Sequence, residues 1–553
     1  MNITGHGFRL ALLILLAALV QWTVALRSPL VSPDGLRFLR LARWIDERGL
    51  SETIERTGQH PLFPLATVGA EKCLATVAGR QGSPSWQLAG RLAAGGAMVL
   101  MVVPLYGIGL MLFCRTTAFL GTALFVLLPE TASLGADVLS DSTYLFFFAT
   151  ALWAGLRFLE RRQAAWLVLC GIGSGLAYLA RPEGLLIALA AALAVFALAL
   201  NRRERLPWPR AAICAVCLFA GLALFTVPFA LSTGAITPKS SLTLTISANA
   251  IWDMPEENAP LPTLFNDGTA AEPAPGRIEL PESPGRDFAF EAKEHSNSQR
   301  YRGYTAAAAD FIQELSRATR VVFLVLALAG VIVFEVRARS VIAGRFAALA
   351  IVLFALVLVQ FARSSGYIAT RHTLTIVVLL VFWSAAGGRS FFVALLAWLE
   401  RRRRRFDDTL AGAAHVERRA AISFFAIAAL VCLPASLRPQ HLSRMAHAEA
   451  GRWLAENSEP DAVVLDTYGW ASLRANRRAY GYPEARQAFE DPRLGYVVAV
   501  RKEITAPSAR AETLRYLLKT AGEPAGEFKG PADKSREDVL VYRWHPERLG
   551  KRD

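Results

Sequence analysis

Ser32-Pro33-Asp34-Gly35-Leu36-Arg37-Phe38-Leu39-Arg40-Leu41-Ala42-Arg43-Trp44-Ile45-Asp46-Glu47-Arg48-Gly49 follows the first apolar run and reads as a short helix with both ends marked. Ser32 suits the N-cap, Pro33 the first helical turn, and Gly49 a left-handed closure. Phe38, Leu41 and Ile45 recur at helical spacing beside Leu36 and Leu39, while Arg37, Arg40 and Arg43 form a neighbouring stripe. An apolar stripe beside an arginine stripe makes a helix that lies along a membrane interface and does not cross it. Asp34 stands in its first turn, where the helix dipole stabilises a carboxylate. That carboxylate either caps a surface helix or acts on something at the interface. The rest of the chain decides which.

The surrounding sequence is too apolar for an ordinary soluble protein: 53% of its 553 residues are hydrophobic and the mean hydropathy is +0.33. Runs of span length lie near 8–26, 87–112, 116–133, 142–159, 164–180, 184–200, 210–232, 319–336, 345–362, 372–387 and 420–437. Residues 1–437 are therefore expected to form an α-helical polytopic membrane domain of about eleven transmembrane helices. Phe8 to Leu26 is too long for a signal-peptide core and lacks a convincing cleavage site, so it counts as the first span. Glu71 and Lys72 keep the weakly apolar run before Gly79 at the interface, and Ser390 to Leu399 reads as another interfacial helix.

The formal charge of +14 comes largely from arginines in short tethers: Arg115, Arg161 and Arg162, Arg202, Arg203 and Arg205, Arg337 and Arg339, and Arg401 to Arg405. All fall on one side of the expected topology, and the positive-inside rule makes that side cytoplasmic. The charge is a topology signal, not a nucleic-acid footprint. The N-terminus is then cytoplasmic. The first outer loop, a polar loop from about 233 to 318 and the C-terminal tail lie outside a plasma (inner) membrane. The six cysteines lie in or beside apolar runs and read as packing residues; Cys214 and Cys217 have no second pair to complete a metal site.

From 438 to 553 the composition is soluble. Ala450 to Ala455 and Ala509 to Thr520 read as helices. Ala462 to Asp466, Tyr496 to Val500 and Asp538 to Arg543 read as buried strands. The expectation is a small α/β extracytoplasmic domain.

With the topology set, the polar residues that do not serve it share the outer boundary. Asp34 and His60 lie in the first outer loop, and Glu130, Asp137 and Asp141 bracket the next. Arg181-Pro182-Glu183-Gly184 is a whole outer turn, Lys239 follows the seventh span, and Arg363, Tyr367, Arg371 and His372 precede the tenth. Ionisable groups at membrane depth are costly, which makes them functional candidates. Each also has a structural alternative. Arg181 can pair with Glu183, Asp137 and Asp141 can cap or solvate a loop, His60 can hydrogen-bond within the fold, and Arg371 and His372 can snorkel. Taken together they set carboxylates for proton abstraction beside cations for a phosphate.

Pro33-Asp34-Gly35, His60-Pro61-Leu62-Phe63-Pro64, Asp137-Val138-Leu139-Ser140-Asp141, Arg181-Pro182-Glu183-Gly184 and Arg371-His372 occur in an order that resembles one family. It is the C-type integral-membrane glycosyltransferases, of the protein O-mannosyltransferase and lipid A aminoarabinose transferase kind. The resemblance implies a polyprenyl-phosphate-linked sugar donor, with Asp34 as the catalytic base. An acceptor hydroxyl on a glycan, lipid or protein would attack in one inverting displacement. His60, Asp137, Asp141, Arg181, Glu183, Lys239, Arg371 and His372 are the candidate substrate-binding residues. Lys239, Arg181, Arg371 and His372 are the ones suited to the phosphate. No cofactor motif stands out, and a divalent cation stays an option. The alternative is a transporter or flippase, which would favour polar or broken helices at mid-depth. These spans carry almost no charge there. On this topology, a reporter active only outside the cytoplasm is expected to work when fused after Asp553; a silent fusion in a well-expressed protein would overturn the orientation.

Overall fold

The computed structural model describes residues 3–79, 83–201, 206–236, 280, 303–402, 410–531 and 537–549. Lys239 and most of the expected 233–318 loop lie outside these described residues. The membrane part begins with α1 (Ile3–Arg27), α2 (Pro33–Arg48), α3 (Leu50–Thr57), α4 (Leu62–Ala78), α5 (Ser83–Leu112) and α6 (Arg115–Leu127). It continues through α7 (Pro129–Ala136), α8 (Ser140–Arg161), α9 (Ala164–Ala180), α10 (Leu185–Leu200) and α11 (Trp208–Thr233). Then come α12 (Tyr304–Ala318), α13 (Val322–Ile332), α14 (Val341–Ser365), α15 (Leu374–Arg402) and α16 (Leu410–Ser436).

Eight helices among the described residues are long and apolar enough to cross a membrane, ten if each of two bent pairs counts as one span. The expectation of about eleven took every apolar run as a straight crossing. The pair α6–α7 is bent by 59°. Pro129 opens α7 and pushes Leu128 out of the helical region, to φ −63° and ψ 135°. The pair α12–α13 is bent by 102°, with Arg320 and Val321 at φ 55° and 49° forming the corner. Because α13 has 11 residues it rises only about 16 Å, so the run 319–336 is not one straight span. The polar loop expected through residue 318 instead ends in α12. α9 is a shorter apolar helix of 17 residues.

Ser390 to Leu399 is not a separate interfacial helix but the continuation of α15. The glycines before it do not terminate the helix; they let neighbours approach. A Cβ on Gly387 would meet Gly330 of α13, and one on Gly388 would meet the Phe424 ring of α16.

The C-terminal domain holds α17 (Met445–Asn457), β1 (Val463–Asp466), α18 (Trp470–Ala475), β2 (Arg478–Tyr480) and α19 (Ala485–Glu490). β3 (Leu494–Val500), α20 (Arg501–Thr505), α21 (Ala509–Ala521), β4 (Gly522–Phe528) and β5 (Val539–Trp544) complete it. Its five strands run in the order β2-β1-β3-β5-β4. β1 pairs parallel with β2 and β3, and β5 pairs antiparallel with β3 and β4. Val464 and Val498 face α17 and α18, whereas Leu465 and Val497 face α19 and α21. Burial on both faces explains why β1 and β3 read as unbroken apolar runs. β2 has only three residues, and β4 carries Pro524 and two glutamates, which an edge strand tolerates. Neither has the alternation that would have marked it in the sequence.

This domain sits on α2. Leu36 and Leu39 are buried with Leu30, Val31, Trp470 and Leu473, and each buried leucine contributes about 1.5–3 kcal/mol. Their packing fixes the rotation of α2 and brings two members of its arginine stripe, Arg40 and Arg43, against the domain. Arg43 donates to Asn476 Oδ1 at 3.4 Å. Arg40 lies against Gly469, whose φ is +81° and where a Cβ would meet the guanidinium. Gly469→Ala is therefore expected to destabilise the docked domain by at least the about 1–2 kcal/mol of left-handed strain. A lower thermal unfolding midpoint of the detergent-solubilised protein would register it.

Candidate active site

The site begins with the cap of α2. Ser32 is the N-cap, and its Oγ accepts from the Gly35 N–H at 3.0 Å. The serine does the capping, so the Asp34 carboxylate is released from the helix. It is half exposed and accepts from Arg371 Nη2 at 2.7 Å. Arg371 belongs to the short 3-10 turn Thr370–Thr373 that leads into α15. That turn is held from outside by α12, where Glu314 Oε2 accepts from the Thr370 hydroxyl.

Behind this pair lies a second ionic group. Arg181, at the end of α9, is paired with Asp141 in the first turn of α8. It also donates through Nη2 and Nε to the two Glu183 oxygens at 3.2 and 3.4 Å. The Asp141 side chain is 8% exposed and the Arg181 side chain 16%, so both charges depend on each other more than on water. The guanidinium stands 5.9 Å from the Tyr144 ring centroid. His372 accepts from the Ala369 N–H at 3.4 Å and meets Phe361 edge-on at 5.2 Å. Asp141, Tyr144, Arg181, Glu183, Arg371 and His372 line one small cavity of about 20 Å³, room for about one water.

Six of the expected residues thus come together: Asp34, Asp141, Arg181, Glu183, Arg371 and His372. Their charges are three carboxylates against two guanidiniums. Arg181 is held by two of the carboxylates, and Arg371 stands at the exposed edge. Two expected residues have other neighbours. His60 is buried, stacked on Phe229 at 4.9 Å and edge-on to Tyr178 at 5.2 Å. Asp137 is buried, with Oδ1 accepting from Ser32 N at 3.0 Å and Val138 N at 2.8 Å, and Oδ2 lying 3.1 Å from His441 Nε2. Burial by itself would raise the Asp137 carboxyl, but His441 and the Ser32 N–H outweigh it and hold it below its ordinary value. Among the described residues no set of three or more His, Cys, Asp or Glu side chains is placed to hold a metal ion.

The architecture and this charged cluster can be compared with known proteins. Residues 82–230 match the family model of dolichyl-phosphate-mannose-protein mannosyltransferases. The crystal structure of ArnT from Cupriavidus metallidurans in the apo state is similar over 100% of both chains, with 14% identity and a TM-score of 0.56. ArnT bound to undecaprenyl phosphate is similar over 98% of both chains, with 12% identity and a TM-score of 0.54. The chain has the fold of the C-type membrane glycosyltransferases. The apo oligosaccharyltransferase of Archaeoglobus fulgidus is also similar, over 95% of this chain and 74% of its own, with 15% identity and a TM-score of 0.50. No curated protein sequence matches.

Within this C-type fold the cluster includes residues that the sequence reading left out. Tyr144 is one helical turn after Asp141, and Thr375 one turn after Arg371, and both line the cavity. Helical spacing from a candidate carboxylate or guanidinium would have found them. His441 had no such signal, because its contact with Asp137 spans 304 positions. Removing one member of a buried ion pair costs about 3–5 kcal/mol, whereas an exposed pair is worth about 0–1 kcal/mol. Asp141→Ala should therefore lower the thermal midpoint markedly, with the remaining Glu183 contact keeping the loss near the lower end. Asp34→Asn should leave the midpoint almost unchanged in the same measurement.

Proposed function

We propose that the protein transfers a sugar from a polyprenyl-phosphate carrier to an acceptor hydroxyl at the outer membrane face, with Asp34 as general base. The observation that carries this is the state of Asp34: uncommitted to capping, half exposed, and 2.7 Å from a guanidinium at the edge of a charged cavity. The likeness in fold to a protein crystallised with undecaprenyl phosphate supports a lipid-linked donor.

In the proposed step the acceptor hydroxyl gives its proton to the Asp34 carboxylate and its oxygen attacks the anomeric carbon. The bond from that carbon to the phosphate oxygen breaks, and the polyprenyl phosphate leaves with the electron pair. Inversion places base and leaving group on opposite faces of the anomeric carbon. The direct Asp34–Arg371 contact must then open to admit the sugar. A donor phosphate would take over Arg371 and leave the carboxylate free to accept a proton, so donor binding itself prepares the base. Arg371 stabilises the charge that grows on the leaving phosphate. Arg181, held by Asp141 and Glu183, supports the wall of the site. His372 lines the same cavity, and Lys239 remains a candidate second cation for the phosphate.

Asp34→Asn preserves size and removes the basic carboxylate. It should express and insert normally while lowering transfer by about two orders of magnitude or more. Arg371→Ala should weaken donor binding as well as turnover, because a phosphate partner acts before and during bond cleavage. Labelled-sugar transfer from a polyprenyl-phosphate donor by the purified protein measures both. Near-normal transfer by Asp34→Asn, with loss in Asp137→Asn or Asp141→Asn, would move the base to the second outer loop.

A further inference from the structure

The segment from the end of α1 to the start of α2 is fixed from three directions. Arg91 of α5 donates to the carbonyls of Ala25, Ser28 and Leu30 at 2.9, 2.9 and 3.2 Å. The connection between α16 and α17 contributes the Gln440 N–H to Ser28 Oγ at 2.9 Å and Arg444 Nη1 to the Val31 carbonyl at 2.7 Å. Arg444 also stacks on Trp470 of the C-terminal domain, 4.4 Å from the ring centroid. The third attachment is Asp137 on Ser32 N, two residues before Asp34. Asp137 reaches both the cap of α2 and His441, which itself holds a left-handed backbone at φ 55°.

We infer that Asp137 and His441 form a latch through which the C-terminal domain positions Asp34 for proton abstraction. Three observations support it. Asp137 spends one oxygen on Ser32 N and Val138 N and the other on His441, so it is not shared with the Arg371 cavity. Its Oδ1 also lies 3.2 Å from where a Cβ of Gly35 would stand, so the carboxylate is pressed against the first turn of α2. The crevice beyond the carboxyl end of β1, where α/β sheets commonly take ligands, is occupied here by Arg40 of α2 against Gly469. The segment that follows α16 thus reaches the cap of α2 through Asp137 and Val31, and the domain meets α2 again at Arg40, nearly two turns beyond Asp34. Both are positioning residues, and the inference rests on Asp34 being the base.

The test uses the full-length protein in four forms: His441→Ala, His441→Gln, Asp34→Asn, and His441→Ala combined with Asp34→Asn. Misplacing a reacting group by about 1 Å can cost on the order of a hundredfold. His441→Ala should lower kcat about tenfold or more while KM for the polyprenyl-phosphate sugar stays within about twofold. His441→Gln, which can still donate to Asp137, should recover most of kcat. In the double variant the His441 loss should disappear, since a misplaced group that is already disabled costs nothing further. Unchanged kcat in His441→Ala, no rescue by Gln, or a full second loss on the Asp34→Asn background would overturn the latch. If Asp34→Asn alone turns over normally, the base assignment fails and takes the latch with it. If Asp34→Asn is impaired and His441→Ala is not, only the latch falls.

Discussion

A bilayer core offers backbone N–H and C=O groups no water to bond with, so a chain inside it must stay helical and can break only where it leaves. The candidate site is assembled from such breaks. Asp34 opens a helix just after α1 ends, and Asp141 starts α8 after the corner that follows α7. Arg181 and Glu183 occupy the turn between α9 and α10, and Arg371 and His372 the turn before α15. Two of these breaks are 3-10 turns, Pro182–Gly184 and Thr370–Thr373, which keep backbone groups bonded while the chain changes direction. The ionisable side chains sit where the helical ladder is interrupted because polar partners and water are available there.

Much of this was legible from single stretches. α2 has the expected bounds, with Ser32 as its cap and Gly49 as its end, although Gly49 adopts φ 91° and ψ 163° instead of the compact left-handed turn. The expected outer-face cluster contains six residues that do converge, because the costs that drive charges to a membrane boundary are visible in composition. Hydropathy does not report the direction of a helix axis. It could not separate α6 from α7, foresee the right-angle corner before α13, or reveal that α15 runs on past its apolar half. Register between distant parts was equally hidden. Asp137 looked like another substrate carboxylate, since nothing near it announces a histidine that arrives from beyond the last span. α2 read only as a helix along the membrane interface, because the domain that covers its Arg40 and Arg43 is encoded more than four hundred residues later.

α15 has 29 residues, a length of about 44 Å at 1.5 Å per residue, against about 30 Å of hydrocarbon. Its first half is buried among neighbouring helices, and its last turn carries Arg401 and Arg402. One unbroken rod therefore joins the turn bearing Arg371 to a basic anchor on the opposite face. A rod longer than the layer it crosses answers a change in that layer by tilting, and a tilt swings its far end. Tilt is set by packing against neighbouring helices, so the contacts of the buried first half of α15 also fix where Arg371 stands.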